Sequence, residues 1–258
     1  MKSSWFGSPA RYEFAKCLAA ADRSMHSYEL FGGFLTCASG AFEQGVRRFR
    51  GLDLCPDIES SVIAAQSRVK HPECYAKCLA LLVDALESEP GDFLGSMLME
   101  LGQHDVAYRG QCFTPVAVSR AMAEMTLHDI SPDPNHRLSI QEPACGGGSM
   151  VIAASMYLQS RGFFPWHYYW VCVDVDWRCW AMTFIQCTLL GIPASVVHGN
   201  TLSLEITKST DTIALAMHPV REKRTAPSVA PDSASSESNI EPSTLQTGPA
   251  TQLTFGFE

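Results

Sequence analysis

Gln141-Glu142-Pro143-Ala144-Cys145-Gly146-Gly147-Gly148-Ser149 lies between two apolar runs of different character. Before it, Leu138-Ser139-Ile140 alternates as a buried strand does. After it, Met150 to Leu158 is an apolar run, Ala- and Met-rich, and long enough for a helix. The order is therefore strand, acid, glycine turn, helix. Glycines at such a turn admit positive φ and let a ligand approach the backbone. The helix N-terminus adds free N–H groups and partial positive charge. A ligand-binding turn at the carboxyl end of a strand and a plain structural turn both fit the glycines alone. The acid separates the options further, since Glu142 would repel a phosphate but suits an ammonium group.

Composition narrows the classes. The chain has 258 residues, 46% of them hydrophobic, enough for one α/β domain with a helical extension. Its net charge is −8, and no polybasic block stands out. This argues against strong autonomous binding to nucleic acid, which needs clustered Lys and Arg. Ten cysteines are scattered through apolar and helical runs. They read as reduced, small apolar residues of a cytoplasmic protein. His71, Cys74 and Cys78 come nearest to a metal pattern, but no second pair matches them, so no metal is expected. No run suits a bilayer span, and no membrane association is expected.

Taken in order, residues 1–108 read as helices, with Phe14, Cys17, Leu18 and Ala21 on one face and Tyr75, Leu79, Leu82, Val83 and Leu86 on another. Breaks are predicted at Gly32-Gly33, at Gly51 to Asp57 and at Pro90-Gly91. Gly91-Asp92-Phe93-Leu94-Gly95 opens a further helix reaching about Leu101. In Arg109-Gly110-Gln111-Cys112-Phe113-Thr114-Pro115, Thr114 reads as an N-cap and Pro115 as the first helical residue. Tyr168 to Asp176 is an aromatic and β-branched strand ending in acids. Asp174 is placed to accept hydrogen bonds from both hydroxyls of a ribose, and Asp176 to cap the next helix. That helix spans Arg178 to Leu190 and stops at Gly191. Ala194 to Val197 is a third strand, leading to His198-Gly199-Asn200-Thr201-Leu202. Asn200 can meet a purine edge over the same crevice or serve as a turn residue. Thr212 to Met217 is a possible fourth strand. Strands alternating with helices predict a parallel sheet. From 221 the chain is Ser-, Pro- and Thr-rich, which predicts a disordered tail. Its apolar end, Gln252 to Glu258, reads either as a docking peptide or as a strand added to the domain's own edge.

Four motifs now stand in one order: Gly110 to Pro115, Glu142 to Gly148, Val173-Asp174-Val175-Asp176, and His198 to Leu202. Together they resemble the N6-adenine DNA methylase family, in particular the methylation subunits of type I restriction-modification systems and their shorter relatives on mobile elements. Gly91 to Gly95 resembles the helical lead-in of those proteins. The resemblance covers roughly residues 90 to 205. It implies a Rossmann-like class I methyltransferase fold, with a parallel sheet flanked by helices. The divisions expected are a helical region over 1–108, a cofactor-binding domain over 109–220 and a tail over 221–258. It implies S-adenosyl-L-methionine as cofactor. Phe113, Thr114 and Pro115 would lie near its methionine end, and Glu142 would face its ammonium. Ala144, Gly146 and Gly148 would give backbone room. Asp174 would hold the ribose, Val175 would pack on the adenine, and Asn200 would take the place of an adenine-edge acid or amide. It also implies DNA as substrate, with a specificity or methylase subunit as a possible partner.

One part of the pattern is missing. The family's catalytic motif, N/D-P-P-Y/F after the fourth strand, orients the target amine and stacks on a flipped base. This sequence holds no such tetrapeptide. The nearest candidates are His218 and Pro219. Three functions therefore stand side by side: an adenine-N6 DNA methyltransferase, a catalytically silent module that keeps the cofactor or a partner subunit, and a methyltransferase that uses the same cofactor half on a non-DNA acceptor.

Overall fold

A computed structural model describes residues 6–101, 114–220 and 252–254. Five helices come first: α1 (Pro9–Ala21), α2 (Ser27–Phe49), α3 (Pro56–Ser67), α4 (Glu73–Ser88) and α5 (Phe93–Leu101). The remainder runs α6 (Val116–Leu127), β1 (Leu138–Glu142), α7 (Ser149–Ser160), β2 (Tyr168–Asp174), α8 (Trp177–Leu189), β3 (Ala194–Asn200), β4 (Glu205–Asp211), α9 (Ile213–Met217) and β5 (Gln252–Thr254). The predicted loop residues 109–113 and most of the predicted tail lie outside the described residues.

Within residues 6–101 the helical expectations hold except at Gly32-Gly33. Ser8 caps α1 by accepting from the Arg11 N–H, and Pro9 sits at the first position, where its missing donor costs nothing. Phe14, Leu18 and Ala21 are buried on one face. The predicted break at Gly32-Gly33 is absent, and α2 continues through it for 23 residues. The reason is packing. A Cβ at Gly33 would collide with the Tyr75 hydroxyl of α4, and one at Gly40 would lie 2.6 Å from a Val62 methyl of α3. Glycine costs a helix about 1 kcal/mol relative to alanine. Here that cost is offset by backbones that approach closely.

The sheet has the order β4-β3-β2-β1-β5. β1, β2, β3 and β5 are mutually parallel, and β4 is antiparallel to β3. The fourth strand is thus Glu205–Asp211, where Ile, Lys and three Ser/Thr residues alternate, and not Thr212 to Met217. Thr212 instead caps α9, its hydroxyl accepting from the Leu215 N–H at 3.4 Å, and the Ala- and Leu-rich sequence after it coils. Along β2, Tyr168, Trp170 and Cys172 are buried while their neighbours are half-exposed, the period of two that a one-sided strand requires. The covered face packs on α8, which in turn packs on α2. One hydrophobic core accordingly runs from Phe14 of α1 to Val196 of β3. A further link is polar. Glu43 of α2, almost fully buried, accepts from Lys208 at 2.6 Å and Thr210 at 3.0 Å on β4.

Among the described residues no helix is long and apolar enough to cross a membrane, and no group of three or more His, Cys, Asp or Glu is arranged to hold a metal. Cys74 and Cys78 are core residues, and His71 pairs with Glu73 at 3.3 Å.

Candidate functional site

The parallel strands β1, β2 and β3 deliver three motifs to one edge of the sheet. At the end of β1, Glu142 is 6% exposed and its carboxylate accepts the Ala144 N–H at 3.3 Å. Burial pushes its pKa up from 4.5 to about 7; the Ala144 bond opposes this, and the nearby Asp174 charge reinforces it. At the end of β2, Asp174 also has its pKa raised by burial, against the pull of backbone N–H donors. Its two oxygens accept from Gly146 at 2.8 Å and from Asp176 at 2.9 Å. Asp176 caps α8 through the Arg178 N–H, as its position in the sequence predicts.

The turn is held from several sides. The Cys145 N–H donates to the Val173 carbonyl at 2.9 Å, which ties the turn to β2, and the Gly148 N–H returns to the Cys145 carbonyl at 2.8 Å. Gly146 and Gly148 take φ values of +54° and +91°, where a side chain would be strained. Gly147 is needed for space instead. A Cβ there would lie 2.5 Å from a carboxylate oxygen of Asp92.

Two further loops close on this turn. The Ser149 hydroxyl, at the head of α7, donates to the Thr114 carbonyl at 3.1 Å and meets the Ser119 hydroxyl at 2.9 Å. Thr114 and Pro115 therefore sit beside the glycine turn, and Phe113 lies outside the described residues. The expected cap is corrected: the N-cap is Pro115, with φ −59° and ψ 140°, and α6 starts at Val116. From β3, the Thr201 hydroxyl donates to the Pro143 carbonyl at 2.7 Å. Asn200 spends its side-chain oxygen on the Leu202 and Ser203 N–H groups at 2.9 and 3.3 Å, which is the turn role. Val175, just past the end of β2, is 70% exposed.

His218 and Pro219 are not part of this arrangement. The His218 carbonyl accepts from the Arg137 guanidinium, which also donates to the carbonyls of Tyr168 at 3.1 Å and Pro165 at 3.0 Å. Its ring lies 5.5 Å from that of Trp166. Arg137 and Tyr168 mark the amino ends of β1 and β2, so His218 stands a full strand length, roughly 15 Å, from the glycine turn. This placement follows from topology: β4 runs antiparallel to β3 and returns the chain to the amino ends of the parallel strands before α9 begins.

Sequence reasoning missed three residues that shape the site. Thr183 and Gln186 of α8 and the buried Asp92 all contact the glycine turn or its carbonyls. The available signal was polarity out of place, since Thr183 and Gln186 interrupt the otherwise apolar run Cys179 to Cys187, where both are fully buried. The assembled edge offers one buried acid, Glu142, one half-buried acid, Asp174, and a crowded, side-chain-free turn. It can accept a cation and a pair of hydroxyl donors, and it repels phosphate.

Comparison with known proteins agrees with the motif order. The N-6 DNA Methylase family model matches residues 90–220, just over half of the chain. Among solved structures, the chain is similar to a protein from Listeria monocytogenes described as a class I S-adenosylmethionine-dependent methyltransferase, with 16% identity and a TM-score of 0.42, over 75% of this chain and 54% of that one. It is also similar to the methyltransferase subunit of a type I restriction-modification system from Streptococcus thermophilus, with 13% identity and a TM-score of 0.33, over 71% of this chain and 55% of that one. The chain thus spans about half the length of these structures. No curated protein matches it. With the family model covering the glycine turn, Asp174 and the loop after β3 together, the chain belongs to the N-6 DNA methylase family.

Proposed function

We propose that the chain binds S-adenosyl-L-methionine at the carboxyl edge of β1–β3 and acts as a restriction-modification-type methyltransferase on adenine N6 in DNA. The observation that carries this reading is the convergence of Glu142, Asp174 and the three-glycine turn at the carboxyl ends of β1 and β2 in a chain of this family. The residues fit the cofactor. The buried Glu142 and the half-buried Asp174 suit an ammonium and a ribose diol, the positive-φ Gly146 and Gly148 leave the turn free of side chains, and Val175 presents an exposed apolar face for an adenine ring. When bound, the cofactor supplies an electrophilic methyl group on a sulfonium sulfur. Glu142 accepts from the ammonium in its ionised form. Asp174 keeps its bonds to Gly146 and Asp176 and uses remaining lone pairs for the ribose hydroxyls. Ala144, Gly146 and Gly148 bring the backbone close. Thr114 and Pro115, with Phe113 before them, line the methionine end, and Asn200 turns its amide nitrogen to the adenine edge. In this reading residues 109–220 form the cofactor-binding domain, 1–108 the helical region and 221–258 the tail. The net charge of −8 favours a partner subunit as the source of most phosphate contacts.

A second reading, a catalytically silent module that keeps the cofactor or a partner subunit, is favoured by one observation. The nearest candidates for the target-base motif, His218 and Pro219, lie at the opposite edge of the sheet. One experiment separates the two. The purified chain is titrated calorimetrically with S-adenosyl-L-methionine, then incubated with methyl-labelled cofactor and adenine-containing duplex DNA. Label in the adenine N6 position supports the first reading. Binding without label transfers support to the second, and absence of binding overturns the first and the cofactor-keeping form of the second.

A further inference from the structure

We infer that Thr183 and Gln186 of α8 are positioning residues for the cofactor turn, and that Gln186 couples the turn to the helical N-terminal region. The inference rests on the reading that this turn holds S-adenosyl-L-methionine. The two side chains stand one helical turn apart on the same face of α8. The Thr183 hydroxyl donates to the Gly146 carbonyl at 3.0 Å, and the Gln186 amide nitrogen donates to the Gly147 carbonyl at 2.7 Å. Successive peptide units of the turn are thereby fastened to one rigid element. Three adjacent glycines have no side chains to select a conformer and lose more freedom on ordering than other residues. Hydrogen bonds to their carbonyls must do the selecting. Because a trans peptide directs its C=O and N–H to opposite sides, fixing the Gly146 carbonyl on Thr183 turns the Gly147 N–H away from α8.

Gln186 does more than hold Gly147. It is fully buried, and its amide is used at both ends. The side-chain oxygen accepts the N–H groups of Phe93 and Leu94 at 2.8 and 2.9 Å, which caps the first turn of α5 from another helix. The side-chain nitrogen also donates to Asp92 at 3.0 Å. Asp92 in turn caps α5 through the Gly95 N–H at 2.8 Å and packs directly on Gly147. Any shift of α5 is therefore felt at the glycine turn through one amide group.

The test uses the full chain, with calorimetric affinity for S-adenosyl-L-methionine and thermal midpoint measured on each variant. Thr183→Val keeps the shape and removes the donor; it should weaken binding roughly three- to tenfold, the range of one net hydrogen bond, and Thr183→Ser should restore it. Ser155→Ala, which removes the hydroxyl that accepts from Trp170 in the same core, should lower the midpoint and leave affinity unchanged. Gln186→Leu should weaken binding and at the same time speed amide exchange at Phe93 and Leu94. Unchanged affinity in both Thr183→Val and Gln186→Leu, with lowered midpoints, overturns the positioning role. Faster exchange with unchanged affinity in Gln186→Leu overturns the coupling. If the unaltered chain does not bind the cofactor, the reading of the turn itself fails.

Discussion

Gly147→Ala puts a methyl group where the structure has no room for one. The added carbon would stand 2.5 and 2.7 Å from the two Asp92 oxygens and 2.9 Å from its carboxyl carbon. An exposed carboxylate would swing aside at little cost. Asp92 is 6% exposed, and one oxygen is held by both the Gly95 N–H and the Gln186 amide, so moving it breaks the cap of α5. Gly147 is not among the glycines of positive φ, so the backbone itself tolerates alanine. At such a site alanine would otherwise stabilise by about 0.4–1 kcal/mol through the unfolded chain. Overpacking costs about 1–3 kcal/mol and should dominate, leaving a net loss of about 1–2 kcal/mol. Asp92→Ala alone should also destabilise, by about 1 kcal/mol, through loss of the cap. The decisive protein is the double variant. With the carboxylate gone the methyl fits, and alanine at 147 should become neutral or mildly stabilising, so the two losses fail to add by about 1–3 kcal/mol. Urea unfolding of the four proteins measures the cycle. Additivity within about 0.5 kcal/mol, or a neutral Gly147→Ala, would falsify the argument from contact.

Other expectations are simpler to check. Glu142 is an acid whose folded pKa is raised from 4.5 to about 7, so its favourable contribution is complete below about pH 4.5 and is lost as pH rises through about 7. The loss amounts to about 3 kcal/mol at most, and Glu142→Gln should flatten that part of the stability profile in chemical unfolding. The same group must ionise to receive an ammonium, so cofactor affinity should fall towards tenfold per unit as pH drops below about 7. Glu142→Gln should remove this slope, and an unchanged slope contradicts the assignment. Asp174→Ala should sharply weaken cofactor binding by calorimetry, because it removes both the ribose acceptor and the partner of the Gly146 N–H. His218→Ala should leave cofactor affinity within about twofold of the unaltered chain, since the ring lies at the far edge against Trp166; a larger loss would contradict that placement.

The parts of the fold that local pattern governs were readable in the sequence. Alternation in Leu138 to Ile140, the aromatic and β-branched run Tyr168 to Asp176, and the stop at Gly191 mark β1, β2 and the end of α8 within a residue or two. The order of the acid, the glycines and the second acid marked the edge on which they meet. What was missed depends on contacts between distant segments. Gly32-Gly33 looks like a breaker until Tyr75 of another helix fills the space beside it. Thr212 to Met217 stands where the next strand of an alternating pattern is due, and the pairing of β4 fills that place, leaving a Thr212-capped, Ala- and Leu-rich segment to form a helix. Gln186 and Asp92 are 94 residues apart, and nothing local in either announces that they bond.

The two borders of the sheet close by different routes. β4 joins β3 through a four-residue hairpin, residues 201–204, whereas Thr254 of β5 pairs with Gln141, roughly 110 residues earlier. On a flexible-chain estimate the longer closure costs about 3 kcal/mol more in entropy. β5 contributes only three residues in return. Its border should therefore fray first and anneal last, long after the hairpin. The strand next to that border is β1, which carries Glu142. A detached β5 leaves the site-bearing strand with a row of unsatisfied donors and acceptors facing water. The rate at which amides of β1 exchange with solvent should then report the sheet's weaker seam, and the site's durability should be set there more than in the well-packed helices behind it.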